Sequence, residues 1–138
     1  MGTNFDEIYD VFLSQISDPV FMEKDEDDSL KHRYLLNSIP RFRKCKKDLS
    51  KRDQISFSEQ LTDEETLILG TLMVIEYLNP LITSLKNVEQ FMSTRDFSMT
   101  SQAAHLKQLM EMKTTKKTDA DKLIVDYTYN NGDLGQLK

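Results

Sequence analysis

The sequence predicts an all-α fold: a small helical bundle with a long C-terminal helix and an extended C-terminal tail. Only four glycines and three prolines interrupt the 138 residues. Apolar residues recur at the three- and four-residue spacing of amphipathic helices along most of the chain. A threonine followed three residues later by a glutamate also forms a capping-box pattern, which marks one helix start at residue 62.

The first helix is expected to begin at Thr3, a good N-cap residue, with Asp6 completing a short capping box. Its apolar stripe comprises Phe5, Ile8, Tyr9, Phe12, Leu13 and Ile16, and residues 17–19 end it. An acidic run at residues 23–28 follows, broken only by Lys24, and is expected to be a solvated loop.

The second helix is predicted over residues 29–48, and seven residues in and directly after this range keep helical spacing: Leu30, Tyr34, Leu35, Ile39, Phe42, Cys45 and Leu49. Pro40 lacks a backbone donor and should kink it. The alternative is two shorter helices that meet near Ser38. Residues 50–61 are polar and are expected to form a connector.

The helix that follows the capping box, over residues 63–78, is apolar on nearly every face and should be the most buried. Asn79 and Pro80 should stop or bend it, with a helical continuation to about residue 93. The last helix is expected to start between residues 98 and 101 and to reach residue 126. Its polar middle, residues 113–121, is expected to project from the bundle.

After residue 126 the period changes, because Val125, Tyr127 and Tyr129 alternate with polar residues as in a strand. The chain is therefore divided into a bundle over residues 1–126 and a tail over residues 127–138. A lone strand can add to the edge of another protein's sheet, and the alternative is a disordered tail. The predicted partner-binding residues are Tyr127, Tyr129, Asn131, Leu134 and Leu137.

No pattern of catalytic or metal-binding residues is recognisable. The glycines are too scattered for a phosphate-binding loop, and the acidic run lacks the glycine and glutamate that a calcium loop needs. His32, His105 and Cys45 are too few ligands for structural zinc. Cys45 is in phase with the apolar stripe, which favours a buried core cysteine over a nucleophile. We expect no enzyme activity, no metal and no cofactor.

Charge is unevenly distributed. A net charge of −5 argues against a general nucleic-acid coat, yet residues 41–52 are strongly basic. This basic segment could contact phosphates, pair with the acidic run of a neighbouring subunit, or form a solvated helix face. We expect the second, a subunit interface of Asp25, Asp27 and Asp28 with Arg43, Lys44, Lys46 and Lys47.

The cellular compartment is predicted from three features that are not recognisable in the sequence: disulfides, a signal peptide and a membrane span. A single cysteine allows no intrachain disulfide, and the acidic N-terminus does not resemble a signal peptide. The longest apolar stretch, residues 67–78, is too short to cross a bilayer. We expect synthesis in the cytoplasm and no membrane partner.

Several ordered segments resemble small head and neck proteins of tailed bacteriophages that infect Gram-positive hosts. The resemblance extends over about residues 30–130 and rests on FRKCKKDLSKRD at 42–53, LTDEE at 61–65, MVIEYLNP at 73–80, DFS at 96–98, SQAAHL at 101–106 and DYTY at 126–129. None of these segments is a chemical signature. It is a resemblance of pattern over most of the chain.

The resemblance implies a head–tail connector, or adaptor, located in the virion neck. Such proteins are helical bundles that assemble as a ring, commonly of about twelve copies, beneath the portal. They often send a C-terminal segment to the portal, and they contact the next neck or tail protein. The negative net charge suits a channel through which DNA passes without sequence-specific binding.

The main alternative is a cytoplasmic DNA-binding regulator that carries the basic segment 41–52 on a recognition helix. Such a regulator should be basic overall and needs no adhesive tail. The acidic composition and the predicted tail therefore favour the connector.

Overall fold

The fold is all-α, as the sequence predicts. A computed structural model describes residues 2–16 and 28–130, and these ranges contain no β-strand. The chain forms helices α1 (Phe5–Ser14), α2 (Ser29–Ser38), α3 (Asp63–Gln90), α4 (Thr94–Ser98) and α5 (Ser101–Asn130), with a 3-10 turn at Ile39–Arg41 after α2. The predicted long C-terminal helix is α5.

Helix α3 is the central element of the bundle. It begins at the predicted capping box, where Thr62 Oγ1 accepts from the Glu65 amide at 3.1 Å and Glu65 Oε1 accepts from the Thr62 amide at 2.8 Å. Its first half is buried on nearly every face, as the sequence predicts, at Glu65, Ile68, Leu69, Gly70, Thr71, Leu72, Met73, Val74, Ile75 and Leu78. The helix continues through Pro80 to Gln90, so Asn79 and Pro80 do not stop it.

Helix α5 packs antiparallel to α3. Asn130 Nδ2 donates to Glu64 Oε2 at 3.1 Å at one end, while Glu89 and Lys107 line one groove near the other. The expectation that residues 113–121 project is wrong. Lys116 Nζ donates to Gln15 Oε1 at 3.0 Å and Ala120 is buried, so this polar section keeps one face on the bundle.

Helices α1 and α2 cover the first half of α3. A Cβ at Gly70 would lie 2.4 Å from Val11 Cγ1, so α1 approaches α3 more closely than any other residue at this position would allow. The rings of Phe12 and Tyr34 lie 5.9 and 6.3 Å from the ring of Tyr77. The second half of α3 packs against other helices of the chain.

The second half of α3 packs with α4 and the first half of α5 into a smaller unit, which we call the arm (residues 80–115). At about 1.5 Å per residue, α3 spans about 42 Å, whereas α1 and α2 span about 15 Å each. Two such short helices cannot cover the whole of α3. The arm therefore has its own small set of buried side chains: Ile82, Phe97, Leu106 and Leu109.

The N-cap of α1 is Asn4 and not Thr3 as predicted. Asn4 Oδ1 accepts from the Asp6 amide at 2.8 Å, whereas Thr3 is buried and its Oγ1 accepts from the Leu61 amide at 2.7 Å. The backbone of Thr3 also pairs with Phe57. The N-terminal residues thus fold back on residues 57–61, and the helix begins one residue later than predicted.

The predicted second helix to residue 48 is too long. Helix α2 ends at Ser38, at the break that the alternative expected, and residues 42–62 are irregular apart from isolated bridges. Pro40 supplies no amide donor, and the Asp48 and Asp53 carboxylates accept from the amides of Ser50 and Ile55 at 3.0 and 2.7 Å. Such local turns compete with helix formation.

By length and composition alone, α3 could also cross a membrane, and it is the one helix in the described ranges that could. Its most apolar 18-residue window is 56% buried inside the bundle. That burial is typical of the core helix of a folded domain.

Replacing Leu72 with aspartate should abolish folding, because the Leu72 side chain is buried in the middle of α3, where a carboxylate would lose its hydration and the apolar packing of the leucine would be lost. We expect a loss on the order of 4 kcal/mol or more in the free energy of unfolding, measured by urea denaturation followed by circular dichroism. Leu67→Asp, on an exposed face of the same helix, is the control. A folded Leu72→Asp protein would contradict the central position of α3.

Candidate protein-interaction surfaces

A buried carboxylate lies where the start of α3 meets the end of α5. Glu65 is 0% exposed. Its Oε2 accepts a hydrogen bond from the Tyr127 hydroxyl at 2.6 Å, and its Oε1 accepts from the Thr62 amide and lies 3.5 Å from Lys47 Nζ. Glu65, Tyr127, Lys47, Thr62 and the nearby Cys45 are called the Glu65 cluster below.

Tyr127 links this cluster to the basic segment. Its hydroxyl accepts from the Lys46 amide at 2.7 Å, and its ring packs edge-on against Phe42 at 5.2 Å. The Tyr127 side chain is 0% exposed. Three segments distant in sequence are therefore held together at one tyrosine.

The predicted position of Tyr127 in a partner-binding tail is consequently wrong, as is the bundle boundary at residue 126. Helix α5 continues to Asn130 and carries Tyr127 into the core. The alternation of Val125, Tyr127 and Tyr129 with polar residues suggested a strand. Burial of the Tyr127 ring and two hydrogen bonds to its hydroxyl outweigh this local preference.

The Glu65 cluster makes ionised Glu65 and neutral Tyr127 and Cys45 the stable forms. Burial opposes ionisation of Glu65, but hydrogen bonds from Tyr127 and Thr62 and the charge of Lys47 outweigh it and lower its pKa. Burial, with the hydrogen bond to Glu65, raises the pKa of Tyr127. Burial raises the pKa of the half-buried Cys45 to about 11, so its thiol stays protonated at neutral pH and is a poor nucleophile.

The other predicted tail residues are split between the helix and the undescribed end of the chain. Tyr129 lies on α5 and not on a strand, and 53% of it is exposed. Asn131, Leu134 and Leu137 lie outside the described residues. Of the predicted set, Tyr129 is thus placed where it can contact another protein.

The residues of the predicted subunit interface lie in different environments. Arg43, Lys44 and Lys46 are exposed on the basic segment, whereas Lys47 turns inward to Glu65. On the acidic side, Asp28 forms an ion pair with Lys31 at 2.8 Å. Asp25 and Asp27 lie outside the described residues. Because the basic segment is irregular, it does not form the recognition helix that the DNA-binding alternative required.

The arm carries an exposed apolar surface that the sequence reading did not identify. Phe91 is 89% and Met99 78% exposed, and the arm also holds an open groove of about 800 Å³. Its apolar lining comprises Phe97, Ala103, Leu106 and Met110. The available signal was an apolar stripe that continues beyond the length that two ten-residue helices can cover.

The two histidines do not belong to a metal-binding arrangement. His32 Nδ1 lies 3.4 Å from the Tyr9 hydroxyl, and its ring packs against Phe5. His105 is exposed on α5. Within residues 2–16 and 28–130, no three side chains of His, Cys, Asp or Glu are grouped so that they could hold a metal ion.

Tyr127→Phe should destabilise the protein by about 1–3 kcal/mol, because the buried Glu65 carboxylate and the Lys46 amide each lose a hydrogen-bond partner. The urea midpoint at pH 7, at unchanged m-value, measures the effect. Tyr129→Phe removes a hydroxyl from an exposed position of the same helix and should leave the midpoint unchanged. Equal midpoints for the two variants would show that the hydroxyl of Tyr127 stabilises nothing.

The lowered pKa of Glu65 predicts a specific loss of stability in acid. Its stabilisation is fully present above the ordinary value of 4.5 and is lost as the pH falls through the lower value of the folded state. The stability difference between the natural protein and Glu65→Gln should therefore shrink below pH 4.5. Urea midpoints measured from pH 7 down to about 3 test this, with the exposed Glu111→Gln as control. A difference that stays constant over this range would contradict it.

No family model, curated protein or solved structure significantly matches the chain.

Proposed function

We propose that this chain is a structural subunit of a tailed-phage virion, a head–tail connector that joins the head to the tail by binding other protein subunits. The observation that carries the proposal is the arm, which leaves most of Phe91 and Met99 exposed and also holds an open groove with an apolar lining. Exposed apolar side chains beyond those scattered singly over a surface are typical of sites that bind other proteins. The resemblance of residues 30–130 to phage neck proteins supplies the biological setting.

The proposal is supported by the separation of two surfaces along the molecule. The Glu65 cluster, Lys46 and the end of α5 lie at one end of the α3–α5 pair, and the arm lies at the other. These ends are separated by a helix pair of about 42–45 Å. A connector needs two such ends, because it binds one protein on the head side and another on the tail side.

We assign the partners accordingly. Residues 131–138, which follow the end of α5, dock on the portal protein, with Tyr129 as an exposed contact beside them. The arm meets the next neck or tail protein, and copies of the chain form a ring of about twelve around the DNA channel. The subunit acts without catalysis or cofactor, in the virion neck, after synthesis in the host cytoplasm.

The arm can be tested in the phage that encodes this chain. Phe91→Glu combined with Met99→Glu should leave the protein in particles that carry a portal but should prevent tail attachment, because each ring copy loses its apolar contact. Electron microscopy scores tailed and tailless heads, and mass spectrometry of the particles scores incorporation. Ile55→Glu, at an exposed apolar residue of the loop over residues 50–61, is the control.

Three outcomes would count against the proposal. Normal tails with the double variant would remove the arm from the tail side. Absence of the natural protein from purified virions would remove the connector role altogether. Tight binding of duplex DNA by the free chain at physiological salt would favour the regulator instead.

A further inference from the structure

A second groove, of about 530 Å³, lies between the end of α2, the middle of α3 and α5. Four cationic side chains line it: Arg41 and Arg43 after α2, and Lys113 and Lys117 on α5. Asp121 is the one acidic side chain among the described lining residues. Its remaining lining includes the apolar residues Leu72, Ile75, Ala120 and Ile124. We call this the cationic groove.

The charges of the cationic groove are largely uncompensated within the described parts of the chain. Arg41 pairs with Glu76 at 2.6 Å, but Arg43, Lys113 and Lys117 take part in no ion pair there. Lys113 is half-buried beside the apolar lining. Low-dielectric walls strengthen the attraction of such cations for an anion, so the groove favours a negatively charged occupant.

A polar atom in the groove indicates what kind of anion would fit. Asn79 lines the groove, and its Oδ1 is buried without a hydrogen-bond partner in the described structure. A buried acceptor of this kind is stabilised by an N–H donor. A peptide supplies N–H donors along its backbone and apolar side chains for the lining, whereas a nucleic acid carries its N–H donors only on the bases and has no aliphatic side chains. The groove therefore fits an acidic peptide better than a nucleic acid.

The chain itself contains a segment with this chemistry. Residues 20–27 read Val-Phe-Met-Glu-Lys-Asp-Glu-Asp, three apolar residues followed by four acids and one lysine. We propose that the cationic groove binds this acidic segment of a second copy of the chain. The carboxylates face Arg43, Lys113 and Lys117, apolar side chains cover Leu72 and Ile124, and a backbone N–H reaches Asn79.

This contact deepens the proposed function, since it rests on the ring assembly and names the surface that joins neighbours. The groove of one copy and the segment of the next are different surfaces. The contact is therefore heterologous and can repeat from subunit to subunit. Charge pairing at a half-exposed groove is screened by salt, which makes the association salt-sensitive.

A labelled peptide of residues 18–28 is the first probe, added to the purified full-length chain at low salt and followed by fluorescence anisotropy. Lys113→Glu with Lys117→Glu should weaken its binding at least about tenfold, because two attractive charges become repulsive. Lys86→Glu with Lys122→Glu makes the same charge change at exposed positions outside this groove and should leave binding unchanged. Unaltered binding to the groove variant would overturn the proposal.

A charge exchange then distinguishes contact between copies from contact within one chain. The groove variant, Lys113→Glu and Lys117→Glu, and a segment variant, Asp25→Lys, Glu26→Lys and Asp27→Lys, should each fail to self-associate. Mixed together, they should form heterodimers that native mass spectrometry detects, because each groove then faces a segment of opposite charge. A mixture that remains monomeric would overturn the proposal.

A twelve-nucleotide oligothymidine probe completes the test. Binding of this probe that the groove substitutions abolish, combined with absence of peptide binding, would assign the groove to nucleic acid and overturn the proposal. All three measurements use the purified chain, so their failure is distinguishable from absence of the protein in virions. The latter would remove the connector function and leave a self-association through this groove standing.

Discussion

The hydrogen bond from Tyr127 to the buried carboxylate of Glu65 joins the end of the longest helix to the start of the central one. The same hydroxyl accepts from the Lys46 amide, so the irregular basic segment is held against both helices. A buried ionised carboxylate is tolerated only when its oxygens are satisfied, which here needs Thr62, Lys47 and Tyr127 together. This arrangement fixes how α5 lies on α3, and both the arm groove and the cationic groove lie along that antiparallel pair.

A mismatch in helix length shapes the opposite end of the molecule. Helices α3 and α5 are about three times as long as α1 and α2, so the short pair covers one half of α3 and leaves the arm with a much smaller core. Apolar residues that continue the helical pattern there, such as Phe91, remain in water. In the proposed assembly, a neighbouring protein would supply the missing cover.

The net charge of the chain and the charge of one local surface have opposite signs. The net charge of −5 disfavours tight binding to DNA, which suits a protein that would surround a DNA channel. Against this background, the cationic groove gathers positive side chains from two elements distant in sequence. Its apolar lining and the Asn79 Oδ1, which has no hydrogen-bond partner among residues 2–16 and 28–130, distinguish it from a simple basic surface and favour the proposed peptide occupant.

The sequence by itself determined the helical class, the capping-box start of α3 at Thr62 and the burial of its first half, because these depend on local spacing and on apolar composition. It misplaced the ends of α2 and α5. Tyr127 looked like a strand residue until its ring met Phe42 and its hydroxyl met Glu65, partners 85 and 62 positions away. Only the tertiary structure decided which charges face inward, as with Lys47, and which converge, as with Lys113 and Arg43. Long-range packing brings such groups together, and the spacing of residues along the chain does not predict which of them meet.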